Sequence, residues 1–297
     1  MAKYDIYAEF CDTRFGINFN RLKNEISSLI TRAKLLKLAS NQTKAKEKHK
    51  EWLESIDFSE ELKLIENLNI ISNLNLNYLP LYSFFIKITF TLKKPYLSRD
   101  DEEFYILDNP VCKDKVFKVP YVRPSSWKGA LRWVAKNVLK KDPRVIERLL
   151  GNVKENEIAR QGRLTLYPTF FNKIGLDIIA PHDRETKTVK VPIQFEVVPE
   201  GAKGTFALLY APFDLIGKDD NTIKKEVKED LEVIRNSVKA LLSKYGFSAK
   251  RTSGYGVVKN KVSFQINDIK GEDTKFDLEV SEFEKCMEII INKLGEK

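Results

Sequence analysis

The chain has 297 residues, 42% of them hydrophobic, which is enough apolar material for one large core or two modest ones. A formal charge of +9 points towards a polyanionic partner, while three scattered cysteines (Cys11, Cys112, Cys286) and two histidines (His49, His182) argue against a disulfide framework and against a histidine-built zinc site. No apolar run approaches a bilayer span and no signal pattern opens the sequence, so a reducing, cytoplasmic setting without a membrane partner is expected.

Tyr4 to Phe10 alternates like a short strand, and Asp12 to Asn20 reads as a polar turn. Leu22, Ile26, Leu29, Ala33 and Leu36 then recur at helical spacing. Asn41 to Lys50 is lysine-rich, either an exposed helix face or a loop, and Trp52, Ile56 and Phe58 return the chain to a packed surface. Asparagines from Asn67 to Asn77 mark a connector. Residues 1–81 are therefore a short strand plus a helical region, expected to be an insertion or a docking element.

From Tyr82 the period changes to two. Ile86, Ile88, Phe90 and Leu92 alternate with Lys87, Thr89 and Thr91, the pattern of a half-buried strand. In the loop that follows, Asp100 and Asp101 read as a solvated acidic bend, and Asp108-Asn109-Pro110 as a turn. Pro124-Ser125-Ser126 predicts a helix start with a serine hydroxyl as its cap. Trp127, Leu131, Val134 and Val138 form a buried stripe, and Lys128, Arg132, Lys136 and Lys140 a basic row beside it. A helix N-terminus that leads into such a row suits phosphate, although an ordinary amphipathic helix with a solvated lysine face has the same pattern.

Strands are predicted near Gly162 to Pro168, Gly175 to Ala180, Gln194 to Val198 and Gly204 to Tyr210. Val227, Leu231, Ile234, Val238 and Leu241 repeat at helical spacing, and a glycine loop from Tyr245 to Gly256 enters a strand at Val257 to Ile266. Ser281 and Glu284 make a capping-box pair ahead of a last helix, so 269–297 is expected as a C-terminal helix packed on the domain. From residue 82 to 268 the order is strand, helix, strands, helix, strand. This is the α+β, ferredoxin-like or RNA-recognition-type arrangement, with insertions. Sheets of this type often present one face to single-stranded RNA.

In the glycine loop, Gly254 and Gly256 permit positive φ and close approach of amides to a phosphate, with Lys250 and Arg251 adding charge. Tyr255 could stack on a base. The alternative is a helix C-cap at Gly246 and a tight entry to the next strand.

These motifs together resemble the RAMP superfamily of CRISPR-associated proteins. Arg123-Pro124-Ser125-Ser126-Trp127-Lys128-Gly129-Ala130-Leu131-Arg132 is similar to the family's Pro-Gly-Ser-Ser-Leu-Lys-Gly motif, with Arg123-Pro124 in place of Pro-Gly and Trp127 in place of leucine. Lys250-Arg251-Thr252-Ser253-Gly254-Tyr255-Gly256 is similar to its glycine-rich loop. Gly162-Arg163-Leu164-Thr165-Leu166-Tyr167 and Ile179-Ala180-Pro181-His182-Asp183 are similar to the type III-B subunit that caps the backbone. The resemblance implies a subunit of a type III effector complex that holds a CRISPR RNA while it pairs with target RNA, alongside other protein subunits. It implies RNA contacts at Ser125, Ser126, Lys128, Arg132, Lys136, His182, Arg184, Lys250, Arg251, Gly254, Tyr255 and Gly256, and a duplex-disrupting hairpin within His182 to Gly201. Leu107-Asp108-Asn109-Pro110-Val111 resembles the Ile-Asp-x-Pro-Val of subunits that cut target RNA. The cutting aspartate would then be Asp108, working with a divalent cation such as Mg. A CRISPR-RNA processing enzyme using His182 as acid or base is a further implied alternative.

Overall fold

The computed structural model describes residues 29–38, 40–71, 75–100, 105–107, 109–152, 159–179, 192–268 and 273–282. Among the described residues three helices come first: α1 (Leu29–Leu38), α2 (Gln42–Ser55) and α3 (Ser59–Asn67). The lysine-rich stretch is thus helix, started by the Asn41 side chain accepting from the Lys44 amide at 3.3 Å. Its polar composition hides one buried face, carried by Ala45, His49 and Leu53. The strand and turn expected in the first 20 residues lie outside the described residues.

Next come β1 (Phe84–Thr91), β2 (Tyr121–Val122), α4 (Pro124–Trp133), α5 (Pro143–Leu150), β3 (Leu164–Leu166), β4 (Thr169–Phe170), β5 (Gly175–Ile179), β6 (Ile193–Val197), β7 (Lys203–Tyr210), α6 (Asp220–Ala240), β8 (Lys261–Asp268) and β9 (Asp273–Glu279). The main sheet runs β3-β7-β1-β8-β9, and every neighbouring pair is antiparallel. β1 and β3 are therefore parallel across β7, with α4 in their connection, while β7 and β8 are parallel across β1, with α6 in theirs. These two interleaved split β-α-β units are the ferredoxin-like arrangement that the alternation from residue 82 predicts. β2 pairs with β4, and β5 with β6, in separate two-stranded ribbons.

Phe84, Ile86, Ile88 and Phe90 put one face of β1 into the same buried cluster as Trp127, Leu131 and Val134 of α4 and Leu231, Ile234 and Val238 of α6. Leu53, Phe58 and Ile65 from the helical region belong to that cluster too. On the opposite face Thr89 and Thr205 meet side chain to side chain at 3.1 Å, a polar cross-strand pair.

A buried ion network ties the second unit together. The Arg163 guanidinium donates to Asp214 at 2.7 and 2.6 Å, to Glu226 at 2.6 Å and to Asp230 at 2.7 Å. Asp230 is fully buried and also accepts from Arg148 at 2.9 and 2.6 Å and from the Tyr210 hydroxyl at 2.9 Å. Burial pushes the Asp230 carboxyl above its ordinary value, with Arg148 and Arg163 pulling the other way. Burial likewise raises Asp214 and Glu226, but the Arg163 guanidinium outweighs it and holds both below theirs. Arg163, part of a motif read above for its resemblance, is a structural residue here.

The structure corrects four expectations. The cap of α4 is Arg123, with Pro124 at the first helical position and no side-chain cap bond. Proline's fixed φ and missing N–H suit that first position, which leaves the two serines inside the helix. The basic row does not run evenly to Lys140, because Val134–Val138 is a π turn, closed by Leu139 N–H donating to Val134 O at 3.0 Å. Lys140 follows with a φ of 52°. Asp100 is no solvated bend: it is buried, accepts from the Lys113 amide at 3.1 Å and faces Arg123 at 3.6 Å. Finally, 273–279 is the edge strand β9 paired along β8, where only a helix was expected; the helix expected after it lies outside the described residues.

Candidate functional site

Two segments more than a hundred residues apart meet at the start of α4. Trp127, the first buried residue of the stripe, is fully buried, and its indole N–H donates to the Thr169 hydroxyl at 3.1 Å. Its ring lies 4.8 Å from Phe206 of β7 and 4.3 Å from Phe247 of the glycine loop. A turn further on, Trp133 holds the Arg251 guanidinium 4.1 Å above its ring and packs edge-on to Tyr245 at 5.5 Å. Packed rings and one cation–π contact therefore dock the loop on the helix.

The loop is shaped by its glycines. Gly246 ends the turn after α6 with a φ of 69°, and a side chain there would stand 2.2 Å from the Tyr255 carbonyl oxygen. Gly256, at φ 76°, would put a Cβ 2.7 Å from the Ser248 nitrogen. The C-cap reading of Gly246 holds, and the loop closes on itself so tightly that only glycine fits at both positions. Ser248 latches it to β1's outgoing segment: its hydroxyl accepts from Leu97 N–H at 2.8 Å and donates to Leu97 O at 3.0 Å.

Beside this latch lies a cavity of about 310 Å³, lined by Leu97, Arg99, Asn109, Phe195, Ala249 and Lys250 among others. Lys250 sits 5.1 Å over the Phe195 ring, so its ammonium is held at the cavity rather than free to roam. Further along the loop the Tyr255 hydroxyl donates to Asp177 of β5 at 2.7 Å. Burial and that carboxylate push the phenol up to about 12, so it is neutral and a donor at neutral pH.

Across β6 the chain makes a second polar centre, which follows from strand alternation: Phe195 faces one cavity and Glu196 the other. Buried Glu196 accepts from His49 Nε2 at 2.8 Å, from the Lys113 ammonium and from the Val111 amide at 3.1 Å. Burial pushes its carboxyl up, yet His49 and Lys113 outweigh that and hold it below the ordinary glutamate value.

The expected site residues are distributed unevenly over this geometry. Lys250, Arg251, Gly254, Tyr255 and Gly256 gather around the loop and its cavity. Ser125 and Ser126 are exposed at the helix start, Lys128 is half-buried and Lys136 exposed on the π turn. Arg132 is engaged elsewhere: its Nη2 donates to the carbonyls of Leu150 and Gly151, both at 2.9 Å, and so finishes the C-terminus of α5. Asp108, His182 and Arg184 lie outside the described residues, but Asn109, next to Asp108, lines the cavity. Sequence reasoning missed Trp133, Arg99 and the His49–Glu196–Lys113 group. Trp133 lies off the buried stripe, and the other residues come from segments whose meeting no local spacing announces. Among the described residues no three His, Cys, Asp or Glu side chains cluster as a metal site, and no helix is long and apolar enough to cross a membrane.

The comparisons with known proteins fit this geometry. The model of the RAMP superfamily matches residues 89–259, from β1 through the glycine loop. A Streptococcus thermophilus protein, the CRISPR system Cms endoribonuclease Csm3, is 29% identical over 180 residues, which cover 54% of this chain and 75% of that one. A chain in the cryo-EM structure of the Type III-B Cmr-beta bound to cognate target RNA superposes with a TM-score of 0.52 at 14% identity. That match covers 88% of this chain and 96% of the other, a likeness of fold.

Proposed function

Because the chain belongs to the RAMP superfamily, we propose that it is an RNA-binding subunit of a type III CRISPR effector, holding a CRISPR RNA by its backbone while that RNA pairs with target RNA. Other subunits of the effector are its protein partners, and its setting is the cytoplasm. The observation that carries this reading is the docking of the glycine loop on α4, with Trp127 and Phe247 rings 4.3 Å apart. It joins α4, which carries Ser125, Ser126 and Lys128, to the loop that carries Lys250. Exposed amides and ammonium groups grip phosphate without reading sequence, which leaves sequence recognition to base pairing. Arg132 is left out of the contact set because its bonds are internal.

Binding of a single-stranded RNA to the purified protein, measured against salt concentration, tests this. Lys250→Gln and Lys128→Gln each lower affinity and flatten the salt dependence, whereas an affinity untouched by both variants contradicts the reading.

A second reading is favoured by the relative named an endoribonuclease. In it Asp108 is the residue needed to cut target RNA, and a divalent cation held there would supply charge neutralisation at the scissile phosphate. Asp108→Asn then abolishes cleavage by the assembled complex while guide binding persists; unchanged cleavage rules it out.

A further inference from the structure

The His49–Glu196–Lys113 centre opens on a cavity of about 280 Å³ between α1, α2 and the segment around residues 105–113. It is separate from the Lys250 cavity, with β6 between them and the Asp108 loop contributing to both: Tyr105, Ile106 and Pro110 to one, Asn109 to the other. His49 is 2% exposed, and among the described residues its Nδ1 has no hydrogen-bond partner although it is buried. A buried polar atom left unpaired costs about 1–3 kcal/mol, so it marks a place where a partner is missing. Its Nε2–H points at the Glu196 carboxylate, which Lys113 already neutralises. In a neutral ring whose Nε2–H donates to Glu196, the lone pair sits on Nδ1, an acceptor in want of a donor.

Aromatic and cationic side chains share the rest of the lining with Ile30, Thr31, Ile106 and Pro110. The Trp52 ring stacks with His49 at 5.6 Å and 22°, Tyr105 lines another wall, and Lys34 and Lys118 stand at the more open side. A volume near the lower end of the small-ligand range suits one base with its sugar, the phosphate remaining at the cavity mouth. Enzymes and binding proteins that take a base out of the stack hold it in this way, between rings and with hydrogen bonds to its edge.

We propose that this cavity receives a single unstacked nucleotide of the bound RNA, its base against Trp52 and Tyr105 with a ring or exocyclic N–H donating to His49 Nδ1. The proposal rests on the RNA-binding function above, and it adds a second, discrete site on the other side of β6. The backbone strand held near Lys250 and the nucleotide turned into this cavity would then lie on either side of β6, beside Asn109 and Pro110 respectively.

The chain has only two histidines, so ¹⁵N-histidine labelling of the full-length protein, with His182→Ala to remove the second signal, reports on His49 alone. Titration with each of the four nucleoside 5′-monophosphates, to millimolar concentration, shifts the His49 Nδ1 resonance in the direction of hydrogen-bond acceptance. The shift is smaller for Trp52→Ala and restored for Trp52→Phe, which keeps a ring in place and controls for folding. Inorganic phosphate alone leaves it unmoved. No response to any of the four nucleotides, or the same response to phosphate, overturns the proposal, since a water then serves Nδ1 or an anion alone is bound. RNA binding by the unlabelled protein separates this outcome from the function itself. RNA bound with His49 silent overturns the cavity alone; His49 responding to mononucleotides in a protein that does not bind RNA keeps the cavity and overturns the function.

Discussion

Replacing Arg163 with methionine keeps the aliphatic stem and removes the guanidinium from a centre that joins β3, β7, α5 and α6. The Asp214 and Glu226 side chains are 55% and 22% exposed, so water replaces much of what they lose, and their share is small. Asp230 is different, because at 0% exposure it cannot recruit water. Removing one partner of such a pair costs about 3–5 kcal/mol. Arg148 and Tyr210 remain on Asp230 and soften the loss, so the lower end, about 3 kcal/mol, is expected. Most domains are stable by about 5–15 kcal/mol, so the variant still folds. Urea unfolding followed by tryptophan fluorescence reads the difference as a lower midpoint at unchanged slope. Pairing Arg163→Met with Asp230→Asn in a double-mutant cycle isolates the coupling. A loss under about 1 kcal/mol, or strict additivity in the cycle, refutes the view that this network is a main fastening of the fold.

Other consequences follow from the same geometry. Gly256→Ala must place a Cβ 2.7 Å from the Ser248 nitrogen at a φ of 76°, so it destabilises by about 1–3 kcal/mol and weakens RNA binding by displacing Lys250; melting and RNA titration check both. Lys250→Gln lowers the slope of log K against log salt by about 0.7, the value for one single-strand phosphate contact, and a slope that stays the same removes Lys250 from the interface. Glu196, Asp214 and Glu226 all have carboxyls held below their ordinary values. Their contribution is fully present above the unfolded values of about 4, and it is lost as the pH falls through the lower folded ones. Urea midpoints measured from about pH 7 down to about pH 3 therefore fall on the acid side, and less steeply for Arg163→Met.

The fold was legible where burial follows a local period. Ile86, Ile88 and Phe90, or Leu231, Ile234 and Val238, face one core, and their spacing alone says so. β9 was missed although Lys275, Asp277 and Glu279 alternate with Thr274, Phe276 and Leu278, because no turn signal beyond Gly271 separates it from the helix expected next. The serine cap failed because proline and serine compete for the first positions of a helix, and proline is the more demanding of the two. Within the site, glycines and basic residues close in sequence were readable as one loop. The contacts of Arg251 with Trp133, or of His49 with Glu196, were not, since each joins residues more than a hundred apart. Nor does spacing show that Arg132, on the expected face, has its Nη2 held by two carbonyls.

The central claim is that the α4 start and the glycine loop together hold a guide RNA. Its most direct test is purification of the tagged protein from its native cells under mild conditions, with sequencing of the RNA that accompanies it and mapping of ultraviolet crosslinks. The account predicts CRISPR RNA with crosslinked peptides from residues 123–128 and 246–256. Absence of RNA, or RNA of random origin crosslinked elsewhere on the chain, would contradict it.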